Sequence, residues 1–250
     1  MSNYVLKIVE DKDKLRVRSD ETNLGVVLST QVKHVIKEIK QTLKANKDLV
    51  ALSAPQLGYN ERIFGLKFAN NDIQIFINPA IIRTEGNHLS REKSIGMNSD
   101  TEYLIFRPEK TFISYQTVKS QPDKCEMNKL EGFASDVFMQ MNDLLNGVLI
   151  EDVGLEVLPG FDEASDEEKQ EIIDMYIEHL KEIQNSVNEA IKKDSDSETA
   201  RLNRNIEFMT KLQLGEIETV PLTEEEKELL KKHYEELNKE IVKNENHTEV

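Results

Sequence analysis

The stretch FMQMNDLLNG, residues 138–147, decides how this sequence is read. Apolar residues recur through it and just before it at the spacing of one helix face. Gly147 follows the last of them, and glycine is a common C-terminal stop for a helix. The pattern predicts a helix that begins after Gly132 and ends at Gly147. Phe133, Val137, Met141 and Leu144 fall on one face of this predicted helix.

The preceding segments predict a second helix and several strands. A helix is predicted after Ser29-Thr30, to end near Asn46, because Val32, Val35, Ile36, Ile39 and Leu43 form one apolar stripe. Strands are predicted where apolar residues alternate or β-branched and aromatic residues concentrate. Pro79 is expected to end its strand, because proline cannot donate to a β-ladder. The predicted strands are ERIFGLKF (61–68), NDIQIFINP (71–79), TEYLIF (101–106) and KTFISYQTV (110–118).

From Ser165 onward the sequence predicts only helices. Ser165 and Glu168 form a capping box, and a second one begins at Thr223. Three amphipathic helices are predicted, the first about 28 residues long. The acidic excess of the chain concentrates in this region, which indicates a boundary near Pro159. We therefore predict a domain over residues 1–158 and an acidic helical extension over residues 159–250.

Composition excludes several classes of function. The chain carries 47 acidic against 32 basic residues and a net charge of −15. Because phosphate binding needs clustered cations, we expect no nucleic-acid partner. Cys125 is the only cysteine, which fits a reducing compartment. Because we find no apolar run of signal-peptide or membrane-span length, we expect no membrane partner, no signal-directed secretion and a cytoplasmic location.

The order of the predicted elements and four motifs resembles the peptide deformylases. LVALSAPQLG (49–58) resembles the family's Gly-h-Gly-h-Ala-Ala-Pro-Gln, where h is apolar, with Pro55 and Gln56 kept. FINP (76–79) falls where the family has Asn-Pro. REKSIG (91–96) stands at Glu-Gly-Cys-h-Ser, and QMNDLLNGVL (140–149) at His-Glu-h-Asp-His-h-x-Gly. The resemblance spans about residues 1–155 and implies an α+β fold, with antiparallel sheets around a central helix, followed by the all-α extension.

The resemblance also implies what stands at each site position. In the family one cysteine and two histidines hold a divalent metal, and the glutamate moves protons. Here the cysteine position is Ser94, the histidine positions are Gln140 and Leu144, and the glutamate position is Met141. Gln56, which in the family donates to the oxyanion, is retained. We therefore predict vestigial site positions, with no catalytic residue, metal or cofactor, and with Met141 and Leu144 as core residues.

The leading hypothesis from the sequence is that the chain is not an enzyme. It would be a structural or interaction subunit whose 159–250 helices bind other protein subunits. One version is a bacteriophage virion component, such as a tail or baseplate protein, which would place the chain in an assembled virion.

Two alternatives remain open. A deviant hydrolase of the deformylase family, with or without a metal, predicts polar side chains that converge around Ser94 and Gln140. A regulator that binds formyl peptides without cleaving them needs an open pocket beside Gln56.

Overall fold

The helices and strands form an α+β domain in this computed structural model, which describes residues 8–9, 11–25, 29–97, 99–120, 124–193, 206 and 211. A 3-10 turn at Pro55–Leu57 follows the first strand. The helices are α1 (Lys12–Leu15), α2 (Thr30–Ala45), α3 (Phe133–Leu145), α4 (Ile150–Val153) and α5 (Asp166–Lys193). The strands are β1 (Ala51–Ser53), β2 (Ile63–Lys67), β3 (Ile73–Glu85), β4 (His88–Lys93), β5 (Glu102–Arg107), β6 (Lys110–Gln116), β7 (Glu126–Glu131) and β8 (Leu155–Glu156).

Two antiparallel sheets surround helix α3. One sheet has five strands in the order β1-β2-β3-β6-β7, and the other has three in the order β4-β5-β8. Helix α3 contacts β1, β2 and β7 of the first sheet and β5 of the second. Ten of its thirteen residues are buried, which is why its sequence is apolar on more than one face. The predicted fold class and the central helix are confirmed.

Aromatic packing holds α3 against the five-stranded sheet. The rings of Phe64 and Phe76 stack with centroids 4.8 Å apart. Phe138 of α3 meets Phe64 edge-on at 5.4 Å and Phe76 at 5.6 Å. All three side chains are essentially inaccessible to solvent. Such pairs add to the stabilisation that burial of their apolar area already gives.

Helix α2 covers the other face of β2, as its apolar stripe predicts. The Ser29 hydroxyl caps it by accepting from the Val32 amide at 3.1 Å. Gly65 of β2 lies directly beneath the helix. A Cβ at that position would lie 2.6 Å from Ile39 Cγ2 and 2.9 Å from Leu43 Cδ1. The absence of a side chain at Gly65 therefore permits the close approach of α2 to the sheet.

Strand β3 continues through Pro79, so the prediction that this proline ends the strand is wrong. The pairing of β3 with β6 shifts register between Ile77 and Ala80, and Asn78 has φ 48°. A bulge of this kind leaves residues without a ladder partner, which is where a strand tolerates proline. The Asn78 side chain stabilises the bulge through Thr22. Its Oδ1 accepts from the Thr22 N–H and its Nδ2 donates to the Thr22 C=O, each at 2.8 Å.

The sequence does not predict four of the observed strands: the short β1 and β8, and the longer β4 and β7. Strand β7 pairs with β6 at the edge of the large sheet, and of its residues only Leu130 is buried. Strand β4 pairs with β5 along its full length and is half-buried. Both contain mainly polar residues, so the apolar alternation that marks a strand is missing.

Helix α5 begins with the predicted capping box. The Ser165 amide donates to Glu168 Oε2 at 2.8 Å, and the Glu168 amide donates to Ser165 Oγ at 3.2 Å. Tyr176 and Leu180 are buried, and the Tyr176 ring stacks on Phe106 of β5 with centroids 5.8 Å apart. The apolar stripe of this helix is therefore used, at least in part, within the same chain.

Apart from Ile206 and Lys211, which are helical, the two further predicted helices lie outside the described residues. Binding of other subunits by residues 159–250, and the domain boundary at residue 158, stay predictions. Within the described ranges, no helix combines the length and the apolar character needed to cross a bilayer.

We expect Gly65→Ala to destabilise the fold, because its methyl group would overlap the side chains of Ile39 and Leu43. The expected loss is about 1–3 kcal/mol, as for other overpacked cores. Urea unfolding of both proteins measures it. Val118→Ala, at an exposed position, is the control and should change stability by less than about 0.5 kcal/mol. An unchanged midpoint for Gly65→Ala would contradict the close helix–sheet contact.

Candidate functional site

Gln56 joins the first motif to the loop that follows β4. Its side chain is fully buried, and Oε1 accepts from both the amide and the hydroxyl of Ser53, at 2.9 and 3.0 Å. Its Nε2 donates to the carbonyl of Ile95 at 2.6 Å. Gly96 has φ 76°, and a Cβ there would lie 2.8 Å from that same nitrogen. Gln56 therefore holds the loop in place.

Gln140 of α3 binds the same loop from the opposite side. Its Oε1 accepts from the amide of Ile95 at 2.6 Å. Its Nε2 donates to Glu92 Oε2 at 2.8 Å and to the carbonyl of Lys93 at 3.1 Å. Both N–H groups and the oxygen of this amide are thus used. The two glutamines hold the N–H and the C=O of one residue, Ile95.

Behind Gln140 lies a buried ion network centred on Arg107. Its Nε and Nη2 donate to the two oxygens of Glu92 at 2.8 and 3.0 Å. Its Nη1 donates to Asp143 Oδ2 at 2.8 Å. The Arg107 and Asp143 side chains are about 1 % and 2 % exposed, so water screens these charges very little. The network links β4, β5 and α3.

The pKa values of the two carboxylates of this network are shifted in opposite directions. Burial raises the pKa of Glu92, but the charge and the two hydrogen bonds of Arg107 outweigh it, so the pKa is lowered. Burial raises the pKa of Asp143 to about 6. The charge and the single hydrogen bond of Arg107 do not offset the effect of burial, and the negative charge of Glu92 raises the pKa further. Burial lowers the pKa of Arg107, yet the two carboxylates reverse that effect and the pKa is raised.

The remaining predicted site positions do not join this network. Ser94 is half-buried in the loop, where its carbonyl accepts from the Met97 amide at 3.3 Å. Met141 and Leu144 lie in the main hydrophobic cluster with Phe64, Phe76 and Phe138. The prediction that these two are core residues is confirmed. Gln140 differs from them, because it is hydrogen-bonded to Glu92 and to the backbone of Lys93 and Ile95. The hydrolase alternative predicts convergent polar side chains around both Ser94 and Gln140, and in the described part of the chain this holds for Gln140 alone.

A cleft of about 210 Å³ opens between β4 and the N-terminal half of α3. Three of the four motif segments contribute to it, residues 49–58, 91–96 and 140–149, and it lies beside the loop that Gln56 supports. Its lining residues are Val50, Ser90, Arg91, Glu92, Lys93, Ile95, Phe133, Asp136, Val137 and Gln140. It is smaller than the roughly 300–1,000 Å³ of sites for drug-sized molecules, so it suits one side chain or chain end.

Asp136 is the polar group of the cleft that sequence reasoning missed. Its Oδ2 lies 3.2 Å from His88 Nε2 and accepts from Ser90 Oγ at 3.3 Å. Its Oδ1 is buried and has no hydrogen-bond partner in the described part of the chain. Burial raises the pKa of this carboxyl. One feature of the sequence could have indicated Asp136: it lies four residues before Gln140, a spacing that places both side chains on one face of a helix.

The residues at the implied metal positions do not fit a metal. Ser94 offers a hydroxyl, the Gln140 amide is fully hydrogen-bonded, and the Leu144 side chain has no donor atom. Among the residues that the structure describes, no group of three His, Cys, Asp or Glu side chains could hold a metal ion. A thiolate and two imidazoles, the set the resemblance implies, are thus not supplied at these positions.

Comparison with known proteins gives one consistent result. The family model described as polypeptide deformylase matches residues 5–154. The peptide deformylase of Thermotoga maritima is 31% identical over 121 residues, which cover 48% of this chain and 71% of that protein. The peptide deformylase of Clostridium botulinum is 28% identical over 118 residues, which cover 47% of this chain and 76% of that protein.

Solved structures of deformylases share the fold. The Thermotoga maritima enzyme aligns with a TM-score of 0.52 at 25% identity, over 62% of this chain and 99% of that one. A class I type b peptide deformylase from Acinetobacter baumannii with Met-Ala-Ser bound aligns with a TM-score of 0.52 at 17% identity. That alignment covers 60% of this chain and 99% of the other, and at this identity it shows the fold alone.

We expect Asp143→Asn to change how stability depends on pH. Because the pKa of Asp143 is raised from 3.8 to about 6, the folded state binds more protons than the unfolded state in that interval. Its stabilising contribution is complete below about pH 4 and is lost as pH rises through about 6.

Urea unfolding of both proteins at a series of pH values tests this expectation. Relative to the variant, the wild type should lose on the order of 3 kcal/mol between pH 4 and pH 7. Stability curves that run parallel across this range would contradict the raised pKa.

The comparisons correct the leading hypothesis from the sequence. The prediction that the chain is not an enzyme is wrong, because the family model and the matched relatives are deformylases, which are enzymes. The prediction of a non-catalytic virion subunit finds no support in them. The match to residues 5–154 covers more than half of the chain, so this chain belongs to the peptide deformylase family.

Proposed function

We propose that this chain is a hydrolase that binds the N-terminal end of a formylated peptide in the cleft between β4 and α3. The observation that carries the proposal is the convergence of three of the four motif segments on that cleft, through Val50, Ile95 and Gln140. Family membership supports both the reaction class and a formylated peptide as ligand.

The reaction adds water across the amide bond between the formyl group and the peptide nitrogen. The oxygen of water goes to the formyl carbon, the C–N bond breaks, and the nitrogen gains a proton. Formate and a free N-terminal amine result. Because the residues at the implied metal positions do not fit a metal, the proposal assigns no step to one.

The cleft supplies two kinds of surface for such a ligand. Val50, Ile95 and Val137 form apolar walls that can pack against a side chain and exclude water. Ser90 and Asp136 supply hydrogen-bonding groups at the polar side of the cleft. Gln56 supports the shape of the wall from behind, since its amide is bonded to Ser53 and Ile95.

Release of formate from formyl-Met-Ala-Ser is the direct test. We expect formate and free amine in equal amounts, with acetyl-Met-Ala-Ser as the control for specificity. Calorimetry of the same peptide and metal analysis of the same sample accompany the assay. Binding without formate release would replace the hydrolase with the formyl-peptide-binding alternative. Neither binding nor release would overturn both.

Filling the cleft should block the peptide. Val50→Phe places a larger side chain at the cleft wall, where Val50 is only half-buried. We expect at least about tenfold weaker peptide binding, which is about 1.4 kcal/mol. Val118→Phe, at an exposed position that does not line the cleft, is the matched control. Equal affinity in the two variants, with both still folded by circular dichroism, would place the peptide elsewhere.

A further inference from the structure

Helix α2 presents a row of lysines on its solvent side. Its apolar residues are buried against the large sheet, so its polar face points to solvent. Four lysines recur at intervals of four, three and four residues, which places them along one line on the helix. The residues of this lysine row are Lys33, Lys37, Lys40 and Lys44, of which Lys40 is half-buried and the others are exposed.

The lysine row has no counter-charge in the described part of the chain. Glu38, the acidic residue of α2, instead accepts from the Tyr59 hydroxyl at 2.7 Å and lies 3.2 Å from His34. None of the four lysines forms a salt bridge with a described residue. Like charges at this spacing destabilise a helix. The row is thus an uncompensated strip of positive charge on a chain whose net charge is −15.

Helix α5 presents a row of carboxylates with the same spacing. Of its four members only Glu178 has a lysine partner among the described residues, Lys181 at 2.7 Å. Exposed pairs of this kind contribute little, so most of the negative charge of the row is uncompensated. The residues of this acidic row are Glu167, Glu171, Asp174 and Glu178, and all four are exposed.

The two rows match each other along their whole length. With a rise of about 1.5 Å per residue, the charges of each row fall at about 0, 6, 10.5 and 16.5 Å along the helix axis. This spacing is the same when it is read backwards, so parallel and antiparallel helices would both pair all four lysines. Met175, 70% exposed, lies next to Asp174 and offers an apolar surface to the lysine methylene groups.

We propose that this chain binds a second copy of itself, with the lysine row of α2 in one copy packed along the acidic row of α5 in the other. Within one chain no salt bridge among the described residues joins the two helices. Pairing between copies supplies each row with the counter-charges that its own chain does not. No member of either row lines the cleft, so the inference does not depend on the proposed function.

The mass of the full chain in solution at two salt concentrations is the first test. In about 0.05 M salt and at about 0.1 mM protein, light scattering should give a mass above the 28.8 kDa of one chain. In about 0.5 M salt, where charges are screened beyond about 4 Å, the mass should fall toward that of one chain. A single-chain mass at the lower salt, or a higher mass that salt does not change, would overturn the proposal.

Charge reversal in each row tests the surfaces. Lys37→Glu with Lys44→Glu reverses part of the lysine row, and Glu171→Lys with Glu178→Lys reverses part of the acidic row. Each double variant should associate with itself at least about tenfold more weakly than the wild type. The second variant has less net negative charge, so general repulsion between copies cannot explain its loss of association. Undiminished association of either variant would overturn the proposal.

A matched control separates the lysine row from net charge. Lys119→Glu with Lys124→Glu makes the same change in net charge as the α2 variant, at exposed positions outside both helices. Its self-association should remain within about threefold of the wild type. A loss as large as that of the α2 variant would assign the effect to net charge and overturn the proposal.

Mixing the two row variants identifies the partner as a second copy. The reversed α2 of one variant then meets the reversed α5 of the other, and the two unchanged rows also carry opposite charges. The mixture should therefore associate where neither variant does alone. A mixture that stays monomeric, with both variants folded by circular dichroism, would overturn the proposal. If a variant fails to fold, Lys37→Gln and Glu171→Gln replace the reversals, each with at least about threefold weaker association expected.

Discussion

The guanidinium group of Arg107 ties together three elements that are distant in the sequence. It lies at the end of β5 and forms salt bridges with Glu92 of β4 and Asp143 of α3. Because these groups are shielded from water, removing one partner from such a network typically costs about 3–5 kcal/mol, whereas each is tolerated while all are paired. The small sheet is thereby held to the central helix by charge, where the large sheet is held by aromatic packing.

The loop after β4 depends on this arrangement. Arg107 fixes the position of the Glu92 carboxylate, and Gln140 donates a hydrogen bond to the same carboxylate. Gln140 and Gln56 then hold the amide and the carbonyl of Ile95 from opposite sides. Satisfied polar networks of this kind rigidify a buried region and specify one arrangement of it. The wall of the cleft is therefore shaped by polar contacts rather than by apolar filling.

Family membership and the residues of the site give different kinds of information. The match over residues 5–154 identifies the family and its fold. The side chains at the family's metal positions are instead an amide used for internal hydrogen bonds, a core leucine and a loop serine. A shared fold positions a cleft, while the groups that line it decide what the cleft accepts. In this chain helix α3 contributes Asp136 and Gln140 to the lining of the cleft.

The sequence by itself determined the elements whose residues follow a period. The apolar stripes of α2 and α3, the capping box of α5 and the alternation in β2 were sufficient, because burial of one face imposes that spacing. The order of the motifs was sufficient for the family fold. The strand through Pro79 was not predictable, since its bulge is stabilised by Thr22 from a distant segment. Nor were the polar strands β4 and β7, which lack an apolar period.

Only the tertiary structure decided the content of the site. Glu92, Arg107 and Asp143 each look like ordinary surface charges in the sequence, and their pairing depends on how two sheets meet one helix. His88 and Asp136 are separated by 48 positions and come together for the same reason. Local spacing reports which face of an element is buried. It carries no information on which charged groups meet across elements, because those contacts are set by packing between segments far apart in the chain.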